Sequence, residues 1–382
     1  MSTTQQRYHL SKIIGKGSYG LVLESLDKNT GQCVAVKKSR VSQKVSRPVL
    51  RYESRILQLL QGHPAIPVLH GYGQLPHFEY MSMDLLGPSI NTDGPISIKT
   101  AVRVVLQMLS VLKHIHSCGI VHRDIKPANV LCSRTDASRI ILIDYNIAIP
   151  IKPGPPAKYD PLGELRHTVG TLDWASLNAH DGIDLAPRDD IESLAYMAFF
   201  LLRGSLPWKI PGFRHEKEMN SMRRIHASKA AASGDSLGAA FPAEFGCMLD
   251  RSRSLQYHEF PDYEELQRRF FELDAQLGNN DPKAALDWSP VGVAEKTDDM
   301  EYATDGEDTE GDSSKENVTI VSGYSMPSYL DAIIDWDIQD ARDTCLTLPA
   351  ETTELLSESI AQITEVTGKT EGGDDCVVHM PV

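Results

Sequence analysis

One polar stretch of the chain, residues 122–129 (HRDIKPAN), has the residue types and spacing of a phosphate-transfer loop. Asp124 is followed by Lys126 two positions later and by Asn129 five positions later, and short apolar runs flank the stretch. This spacing suits a loop that turns a carboxylate toward a substrate hydroxyl, an ammonium toward a phosphate and an amide oxygen toward a metal ion. A solvated polar loop would explain an isolated His-Arg-Asp triplet, but the full string is hard to obtain by chance if other parts of such a site accompany it.

A glycine-rich turn lies near the start of the chain, at residues 15–20 (GKGSYG). A strand carrying Val22 follows the turn, whereas a dinucleotide-binding fold would continue with a helix, so the turn has the form that covers nucleotide phosphates. Glycines allow backbone amides to approach phosphates closely. On this motif alone, an ordinary glycine hairpin is an equally good interpretation.

Three charged residues complete the set of candidates for phosphate chemistry. Lys37 ends an apolar strand, Glu53 lies in the helical pattern of residues 48–61, and Asp144 ends a second apolar run. A Lys37–Glu53 ion pair would hold the lysine against the α- and β-phosphates, although a solvated Glu53 is as compatible with the spacing. Asp144 and Asn129 would supply two oxygen ligands, which suits Mg²⁺ because this ion keeps several waters.

The elements that must position these residues can be read from the sequence pattern. Strand and turn signals alternate from residue 8 to 84 and predict an antiparallel sheet, with one main helix at 48–61. Amphipathic or apolar patterns predict helices at 98–118, from Asp190 to Leu202, at 216–232 and at 263–277. An Asp at the start of a helix can cap that helix or reach back to the catalytic loop, and both interpretations of Asp190 are open.

Charge and cysteine usage exclude several classes of protein. Residues 291–382 contain 22 Asp and Glu against 4 Lys and Arg, and residues 1–290 contain 30 against 34, so the body carries about +4 and the tail about −18. The overall net charge of −14 disfavours nucleic-acid binding. The six cysteines have no metal-binding spacing and indicate a reducing compartment, and no apolar run is long enough to span a membrane. We expect a cytoplasmic or nuclear monomer that binds neither nucleic acid nor membrane.

Taken together, these parts occur in the order found in eukaryotic protein kinases, and the chain most resembles the casein-kinase-1 family. The resemblance covers about residues 8–288. The strings that carry it are ESRI at 53–56, MDLLGPS at 83–89, HRDIKP at 122–127, WASLN at 174–178, RDDIESL at 188–194, LRGSLPW at 202–208 and PDY at 261–263.

The resemblance implies a two-lobed α+β fold and an ATP- and Mg²⁺-dependent Ser/Thr kinase that acts on acidic proteins. The N-terminal lobe would span about 8–84, the hinge 84–89 and the helical lobe 90–288. Asp124 would orient the substrate hydroxyl, Lys126 would neutralise the γ-phosphate, and Asn129 and Asp144 would hold Mg²⁺. The residues that the family pattern places around ATP are Ile14, Gly15, Lys16, Gly17, Ser18, Tyr19, Gly20, Val22, Ala35, Lys37, Glu53, Met83 as gatekeeper, Asp84, Leu86 at the hinge, and Leu131.

The chain departs from the family pattern at four places. The metal-binding string is D-Y-N at 144–146, where Asn146 replaces a glycine and, as a residue tolerant of left-handed backbone angles, should preserve activity. Asp173 replaces an arginine that helps to bind phosphate, so recognition of pre-phosphorylated (primed) substrates is in doubt, with Arg166 and Thr171 as the remaining parts of that anion site. The segment 90–95 is short, and a family glycine is replaced by alanine at position 195.

Three functions remain open from the sequence. The first is an active Ser/Thr kinase, which the intact Lys37, Asp124, Asn129 and Asp144 favour. The second is a pseudokinase or scaffold, which the D-Y-N string and Asp173 favour slightly. A small-molecule kinase is the third, although the WASLN string resembles a peptide-binding platform.

The acidic tail from 289 to 382 forms a separate region. Its composition predicts disorder, with one apolar island near 327–342 that has the pattern of a short docking helix. Because the body is mildly basic, we expect the tail to fold back near the substrate groove and inhibit, or to bind a protein partner.

Overall fold

A computed structural model of the chain describes most of the region upstream of the acidic tail. The described residues are 7–17, 20–40, 49–75, 77–91, 94–158, 168–209, 218–278 and 286–287. The tail, its predicted docking segment, Ser18, Tyr19 and Arg166 lie outside them. Within the described residues, no helix is long and apolar enough to cross a membrane.

The N-terminal lobe is an antiparallel sheet with one helix against it. Its elements are β1 (Tyr8–Gly17), β2 (Gly20–Asp27), β3 (Cys33–Arg40), helix α1 (Val49–Leu59), β4 (Leu69–Leu75) and β5 (Phe78–Asp84). The strands lie in the order β1-β2-β3-β5-β4, and every neighbouring pair is antiparallel. The predicted sheet and its single main helix are therefore confirmed.

Successive side chains of β3 point to opposite faces of the sheet, and both faces are buried. Val34 and Val36 pack with Tyr8 on one side, whereas Ala35 belongs to the main core on the side of α1. On α1, Leu50, Ile56 and Leu57 form the buried stripe that packs on the sheet. The stripe also contains one carboxylate, that of Glu53, so the interpretation of Glu53 as a solvated residue is wrong.

The C-terminal lobe is mostly helical. Its helices are α2 (Ile98–Ser117), α3 (Leu177–His180), α4 (Pro187–Arg203), α5 (Glu218–Ala231), α6 (Gly234–Gly238), α7 (Ala243–Ser254) and α8 (Tyr263–Gln276). Ser97 caps α2 by accepting a hydrogen bond from the Thr100 amide at 3.2 Å. Helix α4 is buried on nearly all sides, as its apolar sequence requires, and it ends at Gly204 in the left-handed conformation, φ 75°.

Two short antiparallel strand pairs place the catalytic loop between the lobes. The strands are β6 (Ile120–Val121), β7 (Val130–Cys132), β8 (Ile140–Leu142) and β9 (Ile149–Pro150), with β6 paired to β9 and β7 paired to β8. The predicted catalytic loop therefore begins after β6 and ends at β7. Asp144 follows β8, so both metal-ligand candidates lie at the ends of paired strands.

Helix α4 differs from the sequence prediction in where it begins. The helix starts at Pro187 rather than at Asp190, and the Asp189 carboxylate accepts the Ala186 amide at 2.8 Å, so a neighbour of Asp190 satisfies the helix start. The other predicted helices are found within a few residues of their expected bounds.

A buried polar chain links three of these helices. His116 of α2 donates from Nε2 to Asp190 of α4 at 2.8 Å, and its Nδ1 is hydrogen-bonded to the hydroxyl of Tyr263 at the start of α8. All three side chains are buried. A buried network of this kind stabilises the fold only while each member keeps its partner.

We predict that Tyr263→Phe lowers the free energy of unfolding by about 1–2 kcal/mol, because it leaves the buried His116 Nδ1 without its partner. Thermal unfolding monitored by circular dichroism measures this change in the free energy of unfolding. Tyr80→Phe removes the same hydroxyl from a half-buried position in the N-terminal sheet and is the control. An equal effect of the two substitutions would contradict the structural role of the His116–Tyr263 bond.

Candidate active site

A lysine and two carboxylates from three elements meet at the inner face of the sheet. Lys37 Nζ on β3 lies 2.9 and 2.8 Å from the two carboxylate oxygens of Glu53 on α1, and 2.9 Å from Asp144 Oδ1. Burial alone would lower the pKa of Lys37, but the two carboxylates outweigh burial and raise it. The lysine is therefore a fixed positive charge that faces the space between the lobes.

The catalytic loop forms a second cluster around Asp124. Lys126 Nζ lies 2.5 Å from Asp124 Oδ2 and donates to Thr171 Oγ1 at 2.8 Å. The amide and hydroxyl of Thr171 both donate to Asp124 Oδ1, at 3.0 and 2.8 Å. Asn129 Nδ2 donates to the Asp124 backbone oxygen at 2.9 Å and to Oδ2 at 3.1 Å. Thr171, predicted for the anion site, thus belongs to the same cluster as the predicted catalytic residues.

The buried Asp190 carboxylate fixes the backbone at the start of this loop. It accepts the amides of His122 and Arg123, at 2.8 and 2.9 Å, in addition to His116. Arg123 has a left-handed backbone angle, φ 70°, which is unfavourable for a side chain of this size and persists because the surroundings fix it. Of the two roles left open for Asp190, the contact with the catalytic loop is confirmed.

The D-Y-N string adopts a conformation that differs from expectation. The left-handed residue is Asp144, φ 72°, and Asn146 is not among the described residues with positive φ, so the expectation that Asn146 serves here through its tolerance of left-handed backbone angles is wrong. Tyr145 is completely buried, packs edge-on against His122 at 4.9 Å between ring centroids and donates to the Leu142 backbone oxygen at 3.2 Å. The string therefore fits this fold without a glycine.

The predicted adenine side is formed by β2, β3, β5 and β7. Ala35 pairs with Met83 across the sheet, and Leu131 forms a bridge with Ser89 just beyond the hinge. Leu86 lies in the irregular segment between Met83 and Ser89 and is partly exposed. The Asp84 side chain turns away, because its carboxylate contacts His70 at 2.9 Å and the Val68 amide at 3.0 Å. Asp84 can thus offer a nucleotide only its backbone.

At the end of the glycine turn, the backbone of Gly20 lies close to the backbone of β3. Gly17 pairs with Gly20, and a Cβ on Gly20, φ 133°, would lie 2.0 Å from the Lys38 backbone oxygen, so only glycine fits there. Val22, two residues after Gly20, pairs with Lys37 on the next strand. Ile14, Gly15 and Lys16 lie on β1 just before the turn.

The donor set fits a divalent cation that keeps water ligands. Both hydrogen bonds of the Asn129 amide use Nδ2, so Oδ1 is the atom left for a metal, and Asp144 Oδ1 contacts Lys37 while Oδ2 remains on the same carboxylate. Within the described part of the chain, no cluster of three or more His, Cys, Asp or Glu could hold a metal on its own. An ion here would need phosphate oxygens and water to complete its coordination, as Mg²⁺ prefers.

A buried lysine that sequence reasoning missed supports the segment after Thr171. Lys229 of α5 is fully buried, and its Nζ donates to the backbone oxygens of Leu172 at 2.9 Å and Ala175 at 2.6 Å. It also lies 3.2 Å from His180 Nε2. Burial, with smaller contributions from Lys229 and His226, lowers the pKa of His180 to about 3, so this ring is neutral and can accept. No motif marks Lys229, since it lies in an alanine-rich helix.

Asp173 lies in the same supported segment. Its backbone oxygen accepts from Trp208 Nε1 at 3.0 Å, and its negative charge favours the ammonium form of Lys229. Asp173 thus lies in a segment whose backbone the buried Lys229 holds at the neighbouring Leu172. Arg166, the other predicted anion residue, lies outside the described residues.

We predict a pH-dependent contribution of Lys229 to stability. Burial lowers the pKa of Lys229 from 10.5 to about 7 in the folded protein, despite the opposing charges of Glu192 and Asp173. Between these two pH values the unfolded chain binds more protons than the folded one, so the stability that depends on Lys229 rises with pH above about 7.

Thermal unfolding of the wild type and of Lys229→Met between about pH 6 and about pH 9 measures this contribution. The wild type should gain relative to the variant by up to about 1.4 kcal/mol per pH unit above neutrality. A stability difference that stays constant over the whole range would contradict the prediction.

Comparison with protein families agrees with this geometry. The family model described as protein kinase domain matches residues 8–254, which includes the sheet, both charged clusters and helices α1 to α7. This match covers more than half of the 382-residue chain. Protein kinases use ATP, and the cluster of Lys37, Glu53 and Asp144 and the cluster around Asp124 lie where the two lobes meet. The chain belongs to the protein kinase family.

Proposed function

We propose that this kinase transfers the γ-phosphate of ATP to Ser and Thr hydroxyls of acidic proteins, in the manner of the casein-kinase-1 family. The observation that carries the proposal is the closed ring of contacts among Asp124, Lys126 and Thr171. It holds a carboxylate, an ammonium and a hydroxyl within hydrogen-bond distance at one point. The contacts of Lys37 with Glu53 and Asp144 supply a second charged cluster that the reaction would use.

Each residue has a role that follows from its charge and place. ATP supplies the transferred phosphoryl group, and Mg²⁺ bound by Asn129 and Asp144 would neutralise its charge. Lys37, oriented by Glu53, would hold the α- and β-phosphates. Asp124 would accept a hydrogen bond from the acceptor hydroxyl and align it, while Lys126 would stabilise negative charge at the transferred group. Positioning and charge neutralisation provide most of the rate enhancement in such a reaction.

The closeness of the Asp124 carboxylate to the backbone at Thr171 supports Ser and Thr as acceptors. The Asp124 carboxylate is held close to the backbone of the following segment by the Thr171 amide at 3.0 Å. A peptide lying on that segment brings an aliphatic hydroxyl near the carboxylate, whereas the longer phenol of tyrosine would require the peptide to stand farther away. The body charge of about +4 favours acidic substrates.

The proposal is tested by transfer of labelled phosphate from ATP with Mg²⁺ to casein, followed by acid hydrolysis and separation of phosphoamino acids. Label should appear in phosphoserine and phosphothreonine and should fall at least about 1,000-fold in Asp124→Asn, which keeps the size of the side chain but loses its charge. Thermal unfolding of the variant controls for folding. Label mainly in phosphotyrosine, or equal transfer by the variant, would contradict the proposal.

The charge of Asp173 leads to a prediction about primed substrates. Because a carboxylate at Asp173 repels phosphate, the wild type should use a primed acidic peptide no better than its unprimed counterpart. Asp173→Arg should increase the preference for the primed peptide about fivefold, the effect expected of roughly 1 kcal/mol of exposed charge interaction. Asp173→Asn, which removes charge without adding a cation, is the control. A strong primed preference in the wild type would mean that Arg166 and its neighbours still form an anion site.

A further inference from the structure

The face of β5 that packs on α1 carries a carboxylate among apolar side chains. Glu79, Met81 and Met83 alternate along the strand and are exposed by 1%, 0% and 9%. Alternating residues of a strand share a face, so Glu79 begins a row that ends at the predicted gatekeeper. A carboxylate in such a row is costly unless its oxygens accept hydrogen bonds.

Both oxygens of Glu79 are engaged at the start of α1. Oε1 accepts the Leu50 amide at 2.9 Å, and Oε2 accepts the Arg51 amide at 3.1 Å. The Tyr72 hydroxyl on β4 also donates to Oε2, at 3.1 Å. Burial and the Glu79 charge both raise the pKa of Tyr72, so this hydroxyl keeps its proton and orients the carboxylate.

Within the described residues, α1 supplies no acidic side chain for its own start. The first amides of a helix lack partners within it, and its N-terminus carries partial positive charge. The first turn of α1 contains no acidic residue, and the residue before the helix is Pro48, whose side chain has no acceptor. Glu79, from a different element, therefore satisfies the start of α1.

The position of α1 decides whether Glu53 can reach Lys37. Glu53 lies two residues after Arg51 on the same helix, and it contacts Lys37 at 2.8 Å. On the other side of that contact, Lys37 pairs with Met81 of β5, two residues from Glu79. One short segment of β5 thus holds both the start of the helix and the strand that carries the lysine. Tyr52 adds a third contact by donating to the Ala148 backbone oxygen at 2.6 Å.

We infer that Glu79 is a positioning residue for phosphate transfer: by holding the first amides of α1, it sets the helix where Glu53 pairs with Lys37. The inference rests on the proposed function, because the position of Lys37 matters only if it binds phosphate. A purely structural role would instead stabilise the lobe without acting through Glu53. The two roles differ in whether the effect of Glu79 depends on Glu53.

A double-mutant cycle separates these roles. The affinity for ATP with Mg²⁺ is measured by calorimetry in the full-length wild type, Glu79→Gln, Glu53→Gln and the double variant, together with the thermal midpoint of each protein. Glu79→Gln keeps the shape of the side chain but removes its charge and places an amide against one helix amide. Glu244→Gln, which removes a carboxylate from the first turn of α7 in the other lobe, is the matched control.

We expect Glu79→Gln to weaken ATP binding about fivefold in the wild-type background, and less than about twofold when Glu53 is already Gln, because the contact that it positions is then gone. Glu244→Gln should bind ATP like the wild type. Tyr72→Phe, which removes one donor to Glu79, should give a smaller loss in the same direction and serves if Glu79→Gln does not fold.

Two outcomes would overturn the inference while leaving the proposed function intact. One is an equal loss of ATP affinity in both backgrounds, and the other is unchanged affinity in Glu79→Gln with only a lower thermal midpoint. A wild type that binds no ATP would instead refute the proposed function itself. The measurement of the wild type therefore distinguishes the two failures.

Discussion

The site depends on one ammonium group shared by two carboxylates. Lys37 Nζ joins Glu53 from the helix of the N-terminal lobe to Asp144 from the boundary of the C-terminal lobe. Removing one partner from such a buried cluster leaves an uncompensated charge, which costs more free energy than the intact pair contributes. The sheet, α1 and the segment after β8 are therefore held in one mutual arrangement.

Backbone strain is concentrated on the same side of the molecule. Among the described residues, the only two apart from glycines with positive φ are Arg123 and Asp144. Backbone hydrogen bonds fix both residues. The amides of His122 and Arg123 donate to the Asp190 carboxylate. Next to Asp144, the Ile143 amide donates to the Asn129 backbone oxygen at 2.9 Å. Strain of this kind persists only where surrounding contacts over-determine the conformation. Asp190, a member of the buried network of α2, α4 and α8, provides the contacts that hold His122 and Arg123.

Local strings predicted much of this arrangement, including the contact of Lys37 with Glu53, whereas contacts of residues that no string marks were not predictable. The residue types and spacing in the motifs around Lys37, Asp124 and Asp144 indicate their chemical roles. Alternating apolar residues and helical periodicity indicate the strands and helices that carry these motifs. Glu79 and Lys229 escape notice because their partners are backbone groups of elements 28 or more positions away, and no spacing rule marks them. The left-handed angle is found at Asp144 and not at Asn146, because residue type indicates only which backbone angles are tolerated, whereas the surrounding fold decides which residue adopts them.

The most direct test of the central claim is whether Asp144 couples nucleotide binding to a divalent ion. Affinity for ATP would be measured by calorimetry with Mg²⁺ and with a chelator, in the wild type and in Asp144→Asn. The account predicts that Mg²⁺ tightens ATP binding in the wild type, and that the variant loses most of this gain while its metal-free affinity is retained. A variant that keeps the full gain from Mg²⁺ would contradict the claim that the shared Lys37 cluster presents Asp144 to a metal-bound nucleotide.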